Sequence, residues 1–167
     1  DTWESARSWL RELAAATSAT ERVDEAGNQW FTLEGASERA VLIGGHIDSV
    51  PNGGWLDGCL NLLAGVEVLR RIADEGTPPV TVRLVNWADE EGARFGRSLF
   101  GSSAAAGSMS DQDELRALVD HGGVSLPGAL AAHGVDLDSA IGARTELDSA
   151  AAYLELHIEQ GPVLESL

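Results

Sequence analysis

Lysine is absent from this 167-residue sequence, and its eleven cationic side chains are all arginine. Against 27 Asp and Glu residues they leave a formal net charge of −16. So acidic a surface repels polyanions, which argues against nucleic acid or an anionic membrane as a partner. Most of that acidity reads as a solubilising surface, with a few carboxylates reserved for cations. Cysteine occurs once, as Cys59, so no internal disulfide can form, and the chain fits a reducing, cytoplasmic compartment. No stretch approaches the roughly 20 apolar residues that a membrane span requires. The first residues lack a basic-then-apolar export pattern. Position 1 is not Met, the sequence opens directly in a helical pattern, and residues 162–165 read as the start of an element, two residues before the last one. A piece of a longer protein is therefore expected.

What is present is the composition of a soluble globular domain, 44% hydrophobic and 23% charged, with length for one sizeable core rather than two. Trp3, Ala6, Leu10 and Leu13 recur at helical spacing and predict an amphipathic helix to about Ala16. A turn-type cluster at residues 25–28 separates two segments, 21–24 and 29–33, that read as a strand pair. Residues 40–44 form an apolar run expected to be a buried strand. Leu62, Val66, Leu69 and Ala73 mark one face of a helix that ends near Gly76, where Thr77, Pro78 and Pro79 stop it. Residues 80–88 read as a strand covered on both faces. Helices are expected over 98–107, 111–120 and 127–133, loop and helix over 135–149, and a last strand over 151–157. The alternation predicts an α/β fold, with a mixed, mostly parallel sheet between helices.

In such folds ligands gather at the carboxyl ends of strands. Three of these ends carry acidic and imidazole side chains: His46, Asp48 and Asp57; Asp89, Glu90 and Glu91; His157 and Glu159. Imidazole and carboxylate are the ligands a divalent ion takes, and two ions roughly 3.5–4 Å apart can clamp one reacting group. Each residue also has a plainer reading. His46 or His157 alone could simply bond a carbonyl, Asp57 could cap the following helix, and Glu90 and Glu91 could form a solvated turn. Asp48, two residues after His46, is of the type that orients a ligating histidine. His121 and His133 read as surface residues.

The literal strings are more specific than the spacing. GHIDSVPNGG at 45–54 followed by LDG at 56–58, DEEGARFG at 89–96, FGS at 100–102 and LHIEQGPVLE at 156–165 occur in this order. They resemble the motifs of the M20-type metallohydrolases, and more narrowly the hydantoinase/carbamoylase amidases: N-carbamoyl-L-amino-acid hydrolases, β-ureidopropionases and allantoate amidohydrolases. The resemblance runs from about Trp3 to the end. It implies two divalent ions (Zn, Mn, Co or Ni), with His46 and His157 on one, Glu91 on the second and Asp57 bridging both. It further implies that Asp48 orients His46, that Glu90 is the general base, and that the peptide bond after Asp57 is cis. The implied substrate is a small N-carbamoyl amino acid or another ureido compound. The implied architecture is the N-terminal portion of a catalytic domain. A lid or dimerisation domain, the rest of the catalytic domain and a further His ligand would lie beyond residue 167, in a homodimeric parent.

Overall fold

The computed structural model describes residues 2–109 and 111–167. Its frame is a five-stranded sheet of β1 (Thr20–Val23), β2 (Gln29–Leu33), β3 (Ala40–Gly45), β4 (Thr81–Asn86) and β5 (Ala150–Leu154), in the order β1-β2-β4-β3-β5. β3 pairs in parallel with both β4 and β5, whereas β2 is antiparallel to β1 and β4. Four of the five strands therefore run in one direction and β2 opposes them from within the sheet, so two ladders are parallel and two antiparallel, a mixed α/β sheet.

Alternation along the strands divides the core in two, because successive side chains point to opposite faces. Trp30, Leu42 and Val85 face one layer, with Phe100, Ala104 and Leu115. That layer is built from α3 (Phe100–Ala106), α4 (Gln112–Ala117), α5 (Leu126–Ala132) and a 3-10 segment at Ala140–Leu147. Phe31, Val82 and Leu84 face the other layer and meet Leu10 of α1 (Thr2–Ala15) and Leu62 and Leu69 of α2 (Cys59–Glu75). Each fully buried leucine contributes about 1.5–3 kcal/mol through removal from water. Gly65 lets α2 lie close on the sheet, since a Cβ there would stand 2.5 Å from Leu84 Cδ1.

Beneath the first layer, Glu146 is buried between two arginines. Arg83 pairs with it through its guanidinium, donates to the Glu146 carbonyl at 2.8 Å and stacks over Trp30 at 4.2 Å, while Arg22 closes the other side. At the sheet's far edge all five residues of β5 are exposed. None of the helices among the described residues is long and apolar enough to cross a membrane.

Two of the expected strands are shorter than their apolar runs suggest. β4 ends at Asn86 because its partner β2 begins at Gln29, and the β2–β4 ladder stops at that pair. β5 ends at Leu154, so Glu155 and His157 lie on irregular chain beyond the sheet.

Candidate metal centre at the strand exits

β3, β4 and β5 run parallel, so the three acidic and imidazole clusters emerge at the same end of the sheet. β3 leaves through Gly44 and Gly45, where any Cβ would collide with Tyr153 or Asn61. His46 follows and is only 2% exposed. Its Nδ1 lies 2.9 Å from the Asp48 carbonyl oxygen. In the neutral ring that contact makes Nδ1 the donor and leaves a lone pair on Nε2. Nε2 stands 3.6 Å from Glu90 Oε2 and 3.8 Å from Asp57 Oδ1.

Asp48 thus holds His46 through its main chain. Its carboxylate is turned to the neighbouring loop, where Oδ2 accepts the Glu91 N–H at 3.0 Å. Asp57 does not cap α2: the cap position is Gly58, and no side chain bonds there. Gly58 has φ 68°, and a Cβ on it would overlap the His46 carbonyl and ring. The cis bond expected after Asp57 is corrected by the structure, since no peptide bond among the described residues is cis. The turn into α2 is made instead by the left-handed φ that glycine tolerates.

Beyond β4, Asp89 takes φ 49°, and Leu99 N–H bonds the Glu90 carbonyl at 2.7 Å. Burial raises the Glu90 pKa; the charges of Asp48, Glu91 and Glu155 add to this, and His46 opposes it. Asp89 is pushed up to about 6, chiefly by burial and then by Asp48. Beyond β5, His157 Nδ1 lies 2.7 Å from the Ile158 carbonyl oxygen, a contact that raises its pKa, and Nε2 faces Asp57 Oδ1 at 3.3 Å. Gln160 donates to Asp57 Oδ2. Nothing in the sequence marks Gln160 as a partner of Asp57, because 103 residues separate them.

Two sets of donors result, each with ligand atoms within 4.8 Å of one another: His46 with Asp57 and His157, and His46 with Glu90 and Glu91. Glu91 thus groups with His46 and Glu90 rather than with Asp57 and His157. Asp57 Oδ1 is buried with no hydrogen-bond partner, yet two imidazole Nε2 atoms converge on it. Acceptors that face one another across a few ångströms fit a cation between them, since a proton donor is not available to all three.

A family model for peptidase family M20/M25/M40 matches residues 42–167. The chain belongs to this family. Among M20 relatives, the N-carbamoyl-L-amino acid amidohydrolase of Geobacillus stearothermophilus is 44% identical over 148 residues, covering 85% of this chain and 35% of that protein. The allantoate amidohydrolase of Escherichia coli is 37% identical over 167 residues, covering 98% of this chain and 40% of the relative. A crystal structure of a hydantoinase/carbamoylase family amidase from Burkholderia ambifaria superposes with a TM-score of 0.78 at 35% identity, over 96% of this chain and 38% of that one. This M20 chain thus spans well under half the length of the relatives it matches.

Proposed function

We propose that the M20 protein to which this chain belongs is a two-metal amidohydrolase. It cleaves the carbamoyl C–N bond of an N-carbamoyl-L-amino acid to give the amino acid, carbon dioxide and ammonia. The observation that carries this reading is the orphaned Asp57 Oδ1 with the Nε2 atoms of His46 and His157 turned towards it. In this reading His46 and His157 would hold one ion, Asp57 would be shared with a second, and Glu91 would hold that second ion. Asp48 fixes His46 and, through the Glu91 N–H, the neighbouring loop. The ions, zinc, manganese, cobalt or nickel, would lower the pKa of a water to about 7 and offset charge on the carbonyl oxygen.

Glu90 is the proton carrier. Its raised pKa makes it a stronger base than an ordinary glutamate, suited to taking a proton from the attacking water and returning it to the leaving nitrogen. On this reading the parent protein supplies, beyond residue 167, residues for the substrate carboxylate, a further His ligand and a lid or dimerisation domain. The whole protein acts as a homodimer on a small ureido substrate. The allantoate amidohydrolase relative favours a second substrate, allantoate, and N-carbamoyl-β-alanine is a third.

The test is turnover by the full-length protein on N-carbamoyl-L-amino acids, N-carbamoyl-β-alanine and allantoate with each ion, with Glu90→Gln alongside. Loss of turnover in E90Q with metal content unchanged is expected; near-normal turnover defeats the assignment of Glu90. For the isolated 167 residues, which span 35–40% of the relatives reported above, the second reading is a non-catalytic fragment that binds one ion weakly or none. Two tightly held ions with turnover would overturn that.

A further inference from the structure

Strand β2 carries none of the proposed ligands, yet Asn28, just before it, and Gln29, its first residue, are both 0% exposed. A buried amide is costly unless its donors and acceptors are paired. These two are paired, and the pairing leads to the two loops that bear the site.

Asn28 Oδ1 accepts the Ala88 N–H at 2.9 Å, while Nδ2 donates to the Gly101 carbonyl at 3.1 Å and to Asp24 Oδ2 at 2.9 Å. Ala88 lies two residues before Glu90, and Gly101 N–H returns to the Ala88 carbonyl at 2.9 Å. One amide therefore grips both walls of the turn that presents Glu90 and Glu91. Gln29 Oε1 accepts from Asn86 Nδ2 at 3.2 Å, and Asn86 Oδ1 accepts the Ile47 N–H at 3.0 Å. Ile47 sits between His46 and Asp48. Gln29 is itself anchored, donating to the Arg7 carbonyl at 3.2 Å and to Glu21 at 2.8 Å.

The register explains why side chains do this work. The β2–β4 ladder stops at Gln29↔Asn86, and β2 turns away through residues 24–28, closed by Asp24 N–H on the Asn28 carbonyl at 3.0 Å. The Ala88 N–H would otherwise lose its ladder partner where the functional turn begins. The Asn28 side chain takes that place.

We infer that Asn28 and the Gln29–Asn86 pair are positioning residues of the hydrolytic site. They fix the exits of β4 and β3 so that Glu90 and His46 keep their mutual placement. The inference rests on the amidohydrolase reading above. Reacting groups tolerate little displacement: about 1 Å can cost 10²-fold in rate.

The test uses the full-length protein with N-carbamoyl-L-amino acids, measuring kcat, KM, bound metal and Tm. Asn28→Ala should lower kcat roughly 10- to 100-fold, with KM changed by less than about threefold and metal content unchanged. Asn28→Asp keeps an acceptor for the Ala88 N–H but sets a second carboxylate against Asp24. It should be the less stable of the two variants and retain the higher kcat. A merely structural role predicts the reverse order, with kcat following Tm; that order, or unchanged kcat in N28A, overturns the inference. Gly101→Ala, if N28D fails to fold, attacks the same contact without deleting a polar group, because its Cβ would overlap Asn28 Oδ1 and stand 2.7 Å from the Ala88 nitrogen. It should lower kcat with metal retained, and unchanged kcat overturns the proposal. A wild-type protein with no turnover on any ureido substrate overturns the amidohydrolase reading and this inference together. Turnover that N28A leaves intact overturns only the positioning role.

Discussion

The carboxylate of Asp48 accepts the backbone N–H of Glu91 at 3.0 Å, so the loop leaving β3 is bonded directly to the loop leaving β4. The other Asp48 oxygen is buried without a partner and lies 3.7 Å from His46 Nδ1. Asp48→Ala would release the Glu91 backbone and remove negative charge beside His46. Groups that hold ligands in place typically account for about 10- to 100-fold in metal affinity. A loss of that size, read by competition with a fluorescent chelator, is expected, and unchanged affinity would show the bond to be incidental.

Gly58→Ala should be more damaging. The position requires φ 68°, and the added methyl would overlap the His46 carbonyl and ring. The loop must shift, carrying Asp57 away from both histidines. Metal stoichiometry measured after gel filtration should fall well below that of wild type, whereas Gly96→Ala, at a glycine of φ 69° with open space around it, should leave it unchanged.

Asp89 gives a pH signature in the metal-free protein. Its folded pKa of about 6 exceeds the ordinary aspartate value of 3.8, so the folded state holds the proton more tightly than the unfolded chain. Wild-type stability therefore declines as pH rises through that window, because an increasingly ionised carboxylate must stay buried. Asn carries no charge and tolerates the φ of 49° found here. Asp89→Asn should be more stable by about 1–3 kcal/mol at pH 7, with the advantage gone below the ordinary aspartate value. Urea titrations in chelator at several pH values check both the sign and the window.

The Glu146 ion pairs test the frame rather than the site. Glu146→Ala leaves the largely buried Arg83 guanidinium without its carboxylate, and breaking such a pair costs about 3 kcal/mol or more. A drop of that order in unfolding free energy is expected. A drop under about 1 kcal/mol would place the pair with ordinary surface bridges.

Periodicity made most of this fold legible. Apolar residues at helical spacing located α1 and α2, and the buried runs located β3 and β4. The gathering of the candidate ligands was legible because they sit in short strings directly after strands, and the parallel β3, β4 and β5 bring such exits together. What stayed hidden was polar and long-range. Asn28 closes the turn-type cluster and Gln29 opens a strand, and neither position marks itself as core, although both are buried. Arg7 stands among the charged positions of an amphipathic helix, yet it is only 4% exposed and stacks on Trp3 at 4.3 Å. Side-chain amides carry no periodic signal, and their partners here lie as far as 73 residues away. Of the backbone, the residues around Gly58 departed from expectation: the bond after Asp57 is trans rather than cis, and Gly58 takes a left-handed φ of 68°.

The exposed edge at β5 has a consequence for the chain in solution. Tyr153 and Leu154 remain 45% and 59% exposed, beside a row of main-chain donors and acceptors that β3 does not use. Such an edge is a template for adding a foreign strand. The net charge of −16 works against this, because two copies must bring like surfaces together. Added salt shortens the Debye length from about 30 Å at 0.01 M to about 8 Å at physiological ionic strength. The chain should accordingly stay monodisperse in dilute buffer and self-associate as salt rises, the opposite of what an ion-paired interface would do, and Leu154→Lys should suppress that growth in light scattering.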